Sequence, residues 1–94
     1  IGVYPWATNN TVYWGCIDVD EYTKPNLHLE IQQTIKEHKL KCLHTRSTNG
    51  GGHIWFIFKQ AVRADQLKAK LKTLATNLDL GKVEIFPKQD HINI

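Results

Sequence analysis

The sequence is poor in the residues that mark zinc-binding and membrane-spanning proteins. It contains two cysteines, Cys16 and Cys42, which cannot form a CxxC pair, so no sequence-local zinc site is predicted. Each cysteine lies in an apolar stretch and is expected to be a buried free thiol in a reducing compartment. No apolar run approaches the roughly 18 residues that a membrane-spanning helix needs.

Methionine is absent and the chain starts at Ile1, so we expect a domain that was cut from a longer protein. The length of 94 residues suits a single domain over residues 1–94 with one small core. Positive and negative charges are nearly balanced, since 12 basic and 9 acidic residues give a net charge of +3. An excess of this size favours a polyanionic partner only weakly.

Apolar periodicity, in contrast, is well defined, and clusters of Asn, Gly and Pro separate the periodic segments. Strands are predicted at residues 12–20, 41–47, 53–59 and 82–86, and helices at residues 27–39 and 64–78. The resulting β-α-β-β-α-β order predicts an α+β fold of the ferredoxin-like type, an order that the RNA-recognition fold shares. Two helices should then cover one face of a four-stranded antiparallel sheet, which leaves the other face open.

Acidic side chains from separate strands are expected to meet on this open face. Because side chains alternate along a strand, turning the apolar neighbours toward the helices directs the polar residues to the opposite side. The residues concerned are Asp18, Asp20, His53 and Glu84. In the usual strand order of this fold the first strand lies between the third and the last, so these side chains converge. Each alone has an ordinary surface explanation, and their shared phase across separate strands is what favours a site.

Carboxylates that lie close together repel one another, and a divalent cation relieves this repulsion. Asp18, Asp20 and Glu84 are therefore predicted metal ligands, and an oxygen-rich set of this kind suits one or two Mg²⁺ or Mn²⁺ ions. Two such ions can align a hydroxyl nucleophile and a triphosphate for in-line displacement. The acidic cluster thus predicts phosphoryl-transfer chemistry.

A glycine-rich loop, with the sequence RSTNGGG from residue 46, links the second and third predicted strands. Its glycines permit close backbone approach, and consecutive amides can form a nest that binds an anion. A flexible hairpin loop is the simpler interpretation of the glycines alone. Arg46 and His53 flank the loop and Lys88 follows the last strand, so these cations are candidate ligands of a nucleotide phosphate.

Three motifs together resemble the archaeo-eukaryotic primase superfamily: CIDVD at residues 16–20, TRSTNGGGHIW at 45–55 and VEIFPKQ at 83–89. The opening IGVYP at residues 1–5 is similar to the segment that leads into the catalytic strand of this family. The resemblance is to the primase-polymerase branch found in mobile elements, phages and conflict systems, including CRISPR-associated forms. It covers nearly the whole chain, and the ordered set is more specific than any single motif.

The resemblance implies a role for each matching residue. Asp18 and Asp20 match the first metal-binding motif. His53 matches the histidine that contacts the phosphate of the incoming nucleotide, and Glu84 matches the acidic residue of the third motif. The further nucleotide contacts that it implies are Arg46, Ser47, Gly51, Gly52 and Lys88. Gly51 stands where many relatives have a serine, and Glu84 stands where many have an aspartate.

The same resemblance implies an activity and its partners. The chain is expected to be a template-dependent DNA primase or polymerase that uses nucleoside triphosphates with Mg²⁺ or Mn²⁺. Its partners would be a single-stranded DNA template, a primer and the remaining domains of the parent protein. The expected location is the cytoplasm, for a prokaryotic or phage-encoded protein.

Other interpretations stay open at this point. A non-catalytic RNA-recognition module would use aromatic residues on the open face, such as Trp55 and Phe86, to stack bases without a metal. A structural domain of a replication or defence complex would no longer need intact acidic residues. A replication-initiation nuclease on a similar fold would need a paired-histidine metal motif, which the sequence lacks.

Overall fold

A computed structural model describes residues 10–20, 25–48 and 50–88 of the chain. The elements are β1 (Thr11–Val19), α1 (Leu27–Glu37), β2 (Leu43–Arg46), β3 (Gly52–Arg63), α2 (Ala64–Asn77) and β4 (Val83–Phe86). The strands form a four-stranded antiparallel sheet in the order β2-β3-β1-β4, which confirms the predicted α+β, ferredoxin-like arrangement. The lead-in segment 1–5 and Gln89 at the end of the third motif lie outside the described residues.

The largest difference from the predicted elements is the length of β3, which runs to Arg63 instead of ending at residue 59. The cause is an irregularity in its pairing with β1, where Tyr13 alone lies opposite residues 58–61. A bulge of this kind absorbs the extra residues and lets the antiparallel ladder resume beyond it. The strand therefore continues until α2 begins at Ala64.

The first helix is shorter than predicted. It ends at Glu37, and the N–H of His38 donates a hydrogen bond to the carbonyl oxygen of Thr34 over 3.0 Å. Lys39 has a φ of 52°, which is the left-handed conformation in which many helices terminate. The turn that follows leads the chain to β2 at the edge of the sheet.

Apolar residues that point from the sheet toward the helices form the core. Ile17 and Val19 of β1 and Ile54 of β3 are almost completely buried on this side, as the predicted strand phase requires. The helices contribute Leu27, Ile31, Leu67, Leu71 and Ala75. A Cβ atom at Gly15 would lie 2.8 Å from a side-chain carbon of Leu67, so glycine is what allows α2 to pack directly on β1.

The opposite side of the sheet, called the open face below, carries two rows of residues that run across the strands. The polar row consists of Thr45, His53, Asp18 and Glu84. The apolar row consists of Leu43, Trp55, Cys16 and Phe86. Both rows follow from the antiparallel register, because directly paired residues project on the same face.

The two cysteines are free thiols with different environments. Cys16 in the apolar row is fully buried, and this burial raises the pKa of its thiol to about 12, with the charge of Asp18 adding to the shift. Cys42 is only partly buried, so the expected buried thiol is found at Cys16 alone. Among the helices in the described part of the chain, none is long and apolar enough to cross a membrane.

Candidate active site

The polar row brings three of the predicted site residues together on neighbouring strands. Asp18 in β1 lies directly opposite His53 in β3 on one side and Glu84 in β4 on the other. Directly opposed Cβ atoms in an antiparallel pair are about 4.5–5.5 Å apart, so these side chains share one patch. Thr45 extends the row to the edge strand β2. The strand order thus places the acidic patch at the centre of the sheet.

A close contact joins Asp18 and His53. Asp18 Oδ1 lies 3.2 Å from His53 Nε2, and each side chain is only 18% exposed. The imidazole also packs edge-on against the ring of Trp55, with the centroids 5.5 Å apart. These two contacts restrict the orientation of the imidazole and direct its Nε2 atom toward the carboxylate.

The pKa of Asp18 is raised above its ordinary value. Burial is the largest cause and the negative charge of Asp20 is the second, while His53 opposes the shift and Glu84 adds to it. Asp20 lies just beyond β1, where its N–H donates a hydrogen bond to the carbonyl oxygen of Lys82 over 2.8 Å. The negative charges of Asp20 and Glu84 therefore reach the Asp18 carboxylate.

Glu84 and Lys88 form the outer end of the patch. Glu84 Oε2 lies 3.3 Å from Lys88 Nζ, with side-chain exposures of 50% and 63%. Lys88 Nζ also lies 5.2 Å from the ring centroid of Phe86 in the apolar row. Exposed ion pairs of this kind contribute little to stability, so the Glu84 carboxylate can leave Lys88 with a small change in free energy.

The acidic residues have the right chemistry for a hard divalent cation, but their side chains are turned to other partners. Within residues 10–20, 25–48 and 50–88, no three His, Cys, Asp or Glu side chains form a group that could hold a metal ion. Asp18 is turned toward His53 and Glu84 toward Lys88. The pKa of Asp18 is nevertheless raised, first by burial and then by the negative charge of Asp20, and a bound cation would relieve that repulsion. The residues therefore fit Mg²⁺ or Mn²⁺ by donor type and strand position, with side-chain rotation needed to complete the ligand set.

Arg46 lies apart from the polar row. It pairs with Gly52, where a Cβ atom would lie 2.8 Å from Cδ1 of Ile31 in α1, so this pair of positions faces the helices. The Arg46 side chain lines an open cavity of about 370 Å³ between α1 and β2. The structure thus places Arg46 beside the helical layer, whereas His53 lies on the open face.

The glycine-rich loop closes the β2–β3 hairpin next to His53. The Ser47 N–H donates to the Gly51 carbonyl oxygen over 2.9 Å, and the Gly50 N–H donates to the Ser47 carbonyl oxygen over 3.2 Å. Gly50 has a φ of 91°, a conformation that glycine adopts without strain. The Ser47 hydroxyl is buried and has no hydrogen-bond partner among the described residues. An unsatisfied buried hydroxyl beside an amide-rich loop is a suitable donor for a bound anion.

A chain of hydrogen bonds behind this loop is a feature that no sequence motif indicates. His28 Nε2 lies 3.0 Å from the Gly50 carbonyl oxygen, and His28 Nδ1 lies 3.0 Å from His44 Nε2. Gln32 Nε2 lies 2.6 Å from His44 Nδ1, which completes the set called the histidine chain below. Burial lowers the pKa of His44, and the neighbouring His28 and Arg46 add to this effect. The only local signal is that His28 and Gln32 are one helical turn apart.

Aromatic side chains adjoin the acidic patch on the open face. The rings of Trp14 and Trp55 lie with their centroids 5.2 Å apart. Trp55 Nε1 donates a hydrogen bond to Thr45 Oγ1 over 2.8 Å, which orients the indole beside the polar row. Ile57, the register partner of Trp14, is 65% exposed. The predicted open-face position of Trp55 is confirmed, and Trp14 joins it there.

The chain matches a known protein family. Residues 1–93 match the family described as "TOTE conflict system, Archaeo-Eukaryotic Primase domain". A search of curated proteins finds no match.

Proposed function

Since the chain belongs to the archaeo-eukaryotic primase domain family of TOTE conflict systems, we propose that it is a template-dependent nucleotidyltransferase, a DNA primase or polymerase. The family by itself supports a primase-like function in general. The observation that carries the finer proposal is the position of Asp18 between His53 and Glu84, with Asp20 close enough to raise its pKa. That acidic centre lies beside a glycine-rich loop whose Ser47 hydroxyl has no partner among the described residues, so metal ligands and phosphate donors would adjoin each other.

Asp18, Asp20 and Glu84 would hold one or two Mg²⁺ or Mn²⁺ ions, and archaeo-eukaryotic primase domains generally use divalent metals. When bound, such ions lower the pKa of an attacking 3′-hydroxyl and offset negative charge on the triphosphate. For Glu84 to bind, its carboxylate must leave Lys88, which then carries an unpaired positive charge. Lys88 is thereby available to a phosphate oxygen as a point charge.

His53 changes partner in the same way. In the structure its Nε2 atom faces Asp18. When the Asp18 carboxylate serves as a metal ligand, the Nε2–H of His53 can instead donate to a phosphate oxygen of the incoming nucleotide. Ser47 Oγ and the amides of Gly51 and Gly52 would supply further donors from the loop. Arg46 lies on the helical side of the edge strand β2. We therefore assign it a phosphate contact that is made from this side of the glycine-rich loop and not from the open face.

The template and the primer would lie on the open face. Trp14 and Trp55 offer ring surfaces on which a base of single-stranded DNA can stack. Contacts to template phosphates would come from basic side chains without regard to sequence. The product of each cycle would be one phosphodiester bond and one pyrophosphate.

The same aromatic residues support a second candidate function, a non-catalytic nucleic-acid-binding module. In such a module Trp14 and Trp55 would bind single strands without a metal. Asp18 and Asp20 argue against it, since their negative charge repels phosphate unless a cation is bound. Binding of single-stranded DNA that is unchanged by a chelator, together with no nucleotide incorporation, would favour this second function.

The decisive experiment is the substitution Asp18→Asn in the full protein. The change preserves shape and removes the charge that would bind the metal. Incorporation of labelled nucleotide into a primed template should fall by about a thousand-fold, because several kcal/mol of metal-dependent stabilisation is lost. Asp65→Asn is the matched control, because Asp65 pairs with Arg63 at the start of α2, outside the acidic patch. Normal incorporation by Asp18→Asn would refute the proposal.

A further inference from the structure

The histidine chain has one consistent set of donors and acceptors. A carbonyl oxygen only accepts hydrogen bonds, so His28 Nε2 must carry the proton that points to Gly50 O. In neutral His28 the Nδ1 atom is then an acceptor, and His44 Nε2 must donate to it. His44 Nδ1 is in turn an acceptor, which matches the amide nitrogen of Gln32 opposite it. Every nitrogen in the chain is therefore used, and the direction runs from Gln32 to the loop.

This chain acts on the backbone of the glycine-rich loop. The carbonyl oxygen and the following N–H of a trans peptide point in opposite directions. Because the Gly50 carbonyl points to His28 in α1, the N–H of Gly51 points away from His28 and the helical layer. No hydrogen bond between described residues uses the Gly51 N–H as its donor. Without the hydrogen bond from His28, the peptide between Gly50 and Gly51 could rotate, because glycine at a φ of 91° has wide backbone freedom.

We propose that His28, His44 and Gln32 are positioning residues that hold the Gly50–Gly51 peptide with its N–H directed at the triphosphate of the bound nucleotide. The inference rests on the proposed function and adds residues to it that lie on the opposite side of the sheet from the acidic patch. The role of the chain is to prevent a peptide flip, which would present a carbonyl oxygen to the phosphate and repel it. None of the three side chains touches the reacting atoms.

Packing around the loop supports this role. A Cβ atom at Gly52 would lie 2.8 Å from Ile31 Cδ1 and 3.4 Å from His44 Nε2. The absence of a side chain at Gly52 therefore allows His44 to approach the hairpin closely. The buried hydroxyl of Ser47, which has no partner among residues 10–20, 25–48 and 50–88, lies in the same hairpin, so a second donor is available beside the Gly51 N–H.

The test compares single substitutions in α1 by titration with inorganic triphosphate, followed at the Gly51 amide by NMR. His28→Phe keeps a ring and removes both nitrogens, whereas His28→Gln keeps a donor near the position of Nε2. His38→Phe is the matched control, because His38 is an exposed histidine near the end of α1 that bonds only to Thr34 among described residues. Gln32→Leu changes an exposed residue at the far end of the chain, so it tests the idea even if His28→Phe fails to fold.

We expect His28→Phe to weaken triphosphate binding by about 10-fold, the effect of one lost hydrogen bond to a charged ligand. His28→Gln should restore most of the affinity, and His38→Phe should bind triphosphate as the wild type does. Gln32→Leu should lower the affinity about 3-fold, because His44 can then change tautomer. In strand synthesis the KM for nucleotide should rise by the same factors with kcat unchanged, since the interaction is made equally in the ground and transition states.

Equal affinity of His28→Phe and His38→Phe would overturn the inference, as would a Gly51 amide that does not respond to triphosphate in the wild type. A His28→Gln variant as weak as His28→Phe would overturn it too, because packing of the ring would then be the cause. These outcomes are separate from failure of the proposed function, which is judged by strand synthesis in Asp18→Asn. The triphosphate titration needs no catalysis, so it decides on the histidine chain in either case.

Discussion

The polar row and the histidine chain lie on opposite faces of the sheet, and their polar groups are satisfied to different degrees. In the polar row, burial and then the negative charges of Asp20 and Glu84 raise the pKa of Asp18, and its partner His53 offsets only part of this. In the histidine chain each nitrogen has a complementary partner, so the chain is satisfied without a ligand. This difference agrees with the proposed roles, in which the polar row receives a charged ligand and the histidine chain holds the loop backbone in place.

Strand alternation is what separates the two regions. His44 and Thr45 are neighbours in β2, yet His44 faces α1 and Thr45 faces the open side. The hairpin that follows connects both regions, since Gly50 accepts a hydrogen bond from the histidine chain and His53 belongs to the polar row. The loop can therefore transmit a change on the helical side to the side that carries the acidic residues.

The largest effect on stability is expected from overpacking the β2–β3 hairpin, which adjoins both the polar row and the histidine chain. Gly52→Val would force side-chain carbons against Ile31 Cδ1, which lies 2.8 Å from an ideal Cβ, and close to His44 Nε2. We expect a loss of about 2 kcal/mol in the free energy of unfolding, typical of overpacking a core position. Urea unfolding measures the loss, and Ala61→Val, at an exposed position of the same strand, should be nearly neutral. Equal stability of the two variants would show that the hairpin does not need a glycine here.

Removing charge from the polar row should stabilise the fold. The pKa of Asp18 is raised in the folded state, so the unfolded state loses its proton first as the pH rises, and the ionised carboxylate destabilises the native state above that range. Asp18→Asn should therefore raise the melting temperature near neutral pH. The gain in the free energy of unfolding should be at most about 1 kcal/mol, because the side chain is partly exposed. The advantage should vanish below the ordinary Asp pKa of 3.8. A lower melting temperature at pH 7 would mean that the contact with His53 outweighs the repulsion.

Acid should weaken the histidine chain over a different range of pH. The pKa of His44 is lowered from 6.5 by burial, by His28 across from it in α1 and by Arg46 on its own strand. Between the folded and unfolded pKa values of His44 the unfolded state binds more protons. The contribution of His44 to the free energy of unfolding is therefore fully present above pH 6.5 and decreases as the pH falls below it. His44→Gln should flatten this dependence in thermal unfolding between pH 7.5 and 5.5, roughly one pH unit on either side of that value. His38→Gln should retain the wild-type slope, and a wild-type slope in His44→Gln would exclude this origin.

The smallest effect is expected at the exposed end of the polar row. Lys88→Met removes the ion pair with Glu84, in which both side chains are at least half exposed. The free energy of unfolding should change by less than about 0.5 kcal/mol, and the change should disappear in high salt. Thermal unfolding at low and high ionic strength measures it. A larger, salt-resistant loss would show that the contact of Lys88 with Phe86 matters for packing rather than for charge.

Several features of the fold and of the site were accessible from the sequence because they depend on periodicity. Apolar residues on either side of Asp18 must face the core, and that requirement sends Asp18 to the other side together with His53 and Glu84. The bulge opposite Tyr13 was not accessible, because an irregular pairing depends on both strands at once. The order of the motifs indicates the family. Proximity in sequence groups Arg46 with His53, whereas the two positions lie on different faces of the sheet.

The order of the elements, the face on which Asp18, His53 and Glu84 lie and the set of carboxylates that can meet are all predictable from the sequence. These properties are local, since they follow from the alternation of apolar and polar residues within single segments. The hydrogen bond between His28 in α1 and His44 in β2, and the one between His28 and the Gly50 carbonyl oxygen, become visible only in the folded chain. Contacts of this kind depend on the packing of α1 against β2 and on the positive φ of Gly50. Neither can be read from the spacing of apolar residues in the sequence.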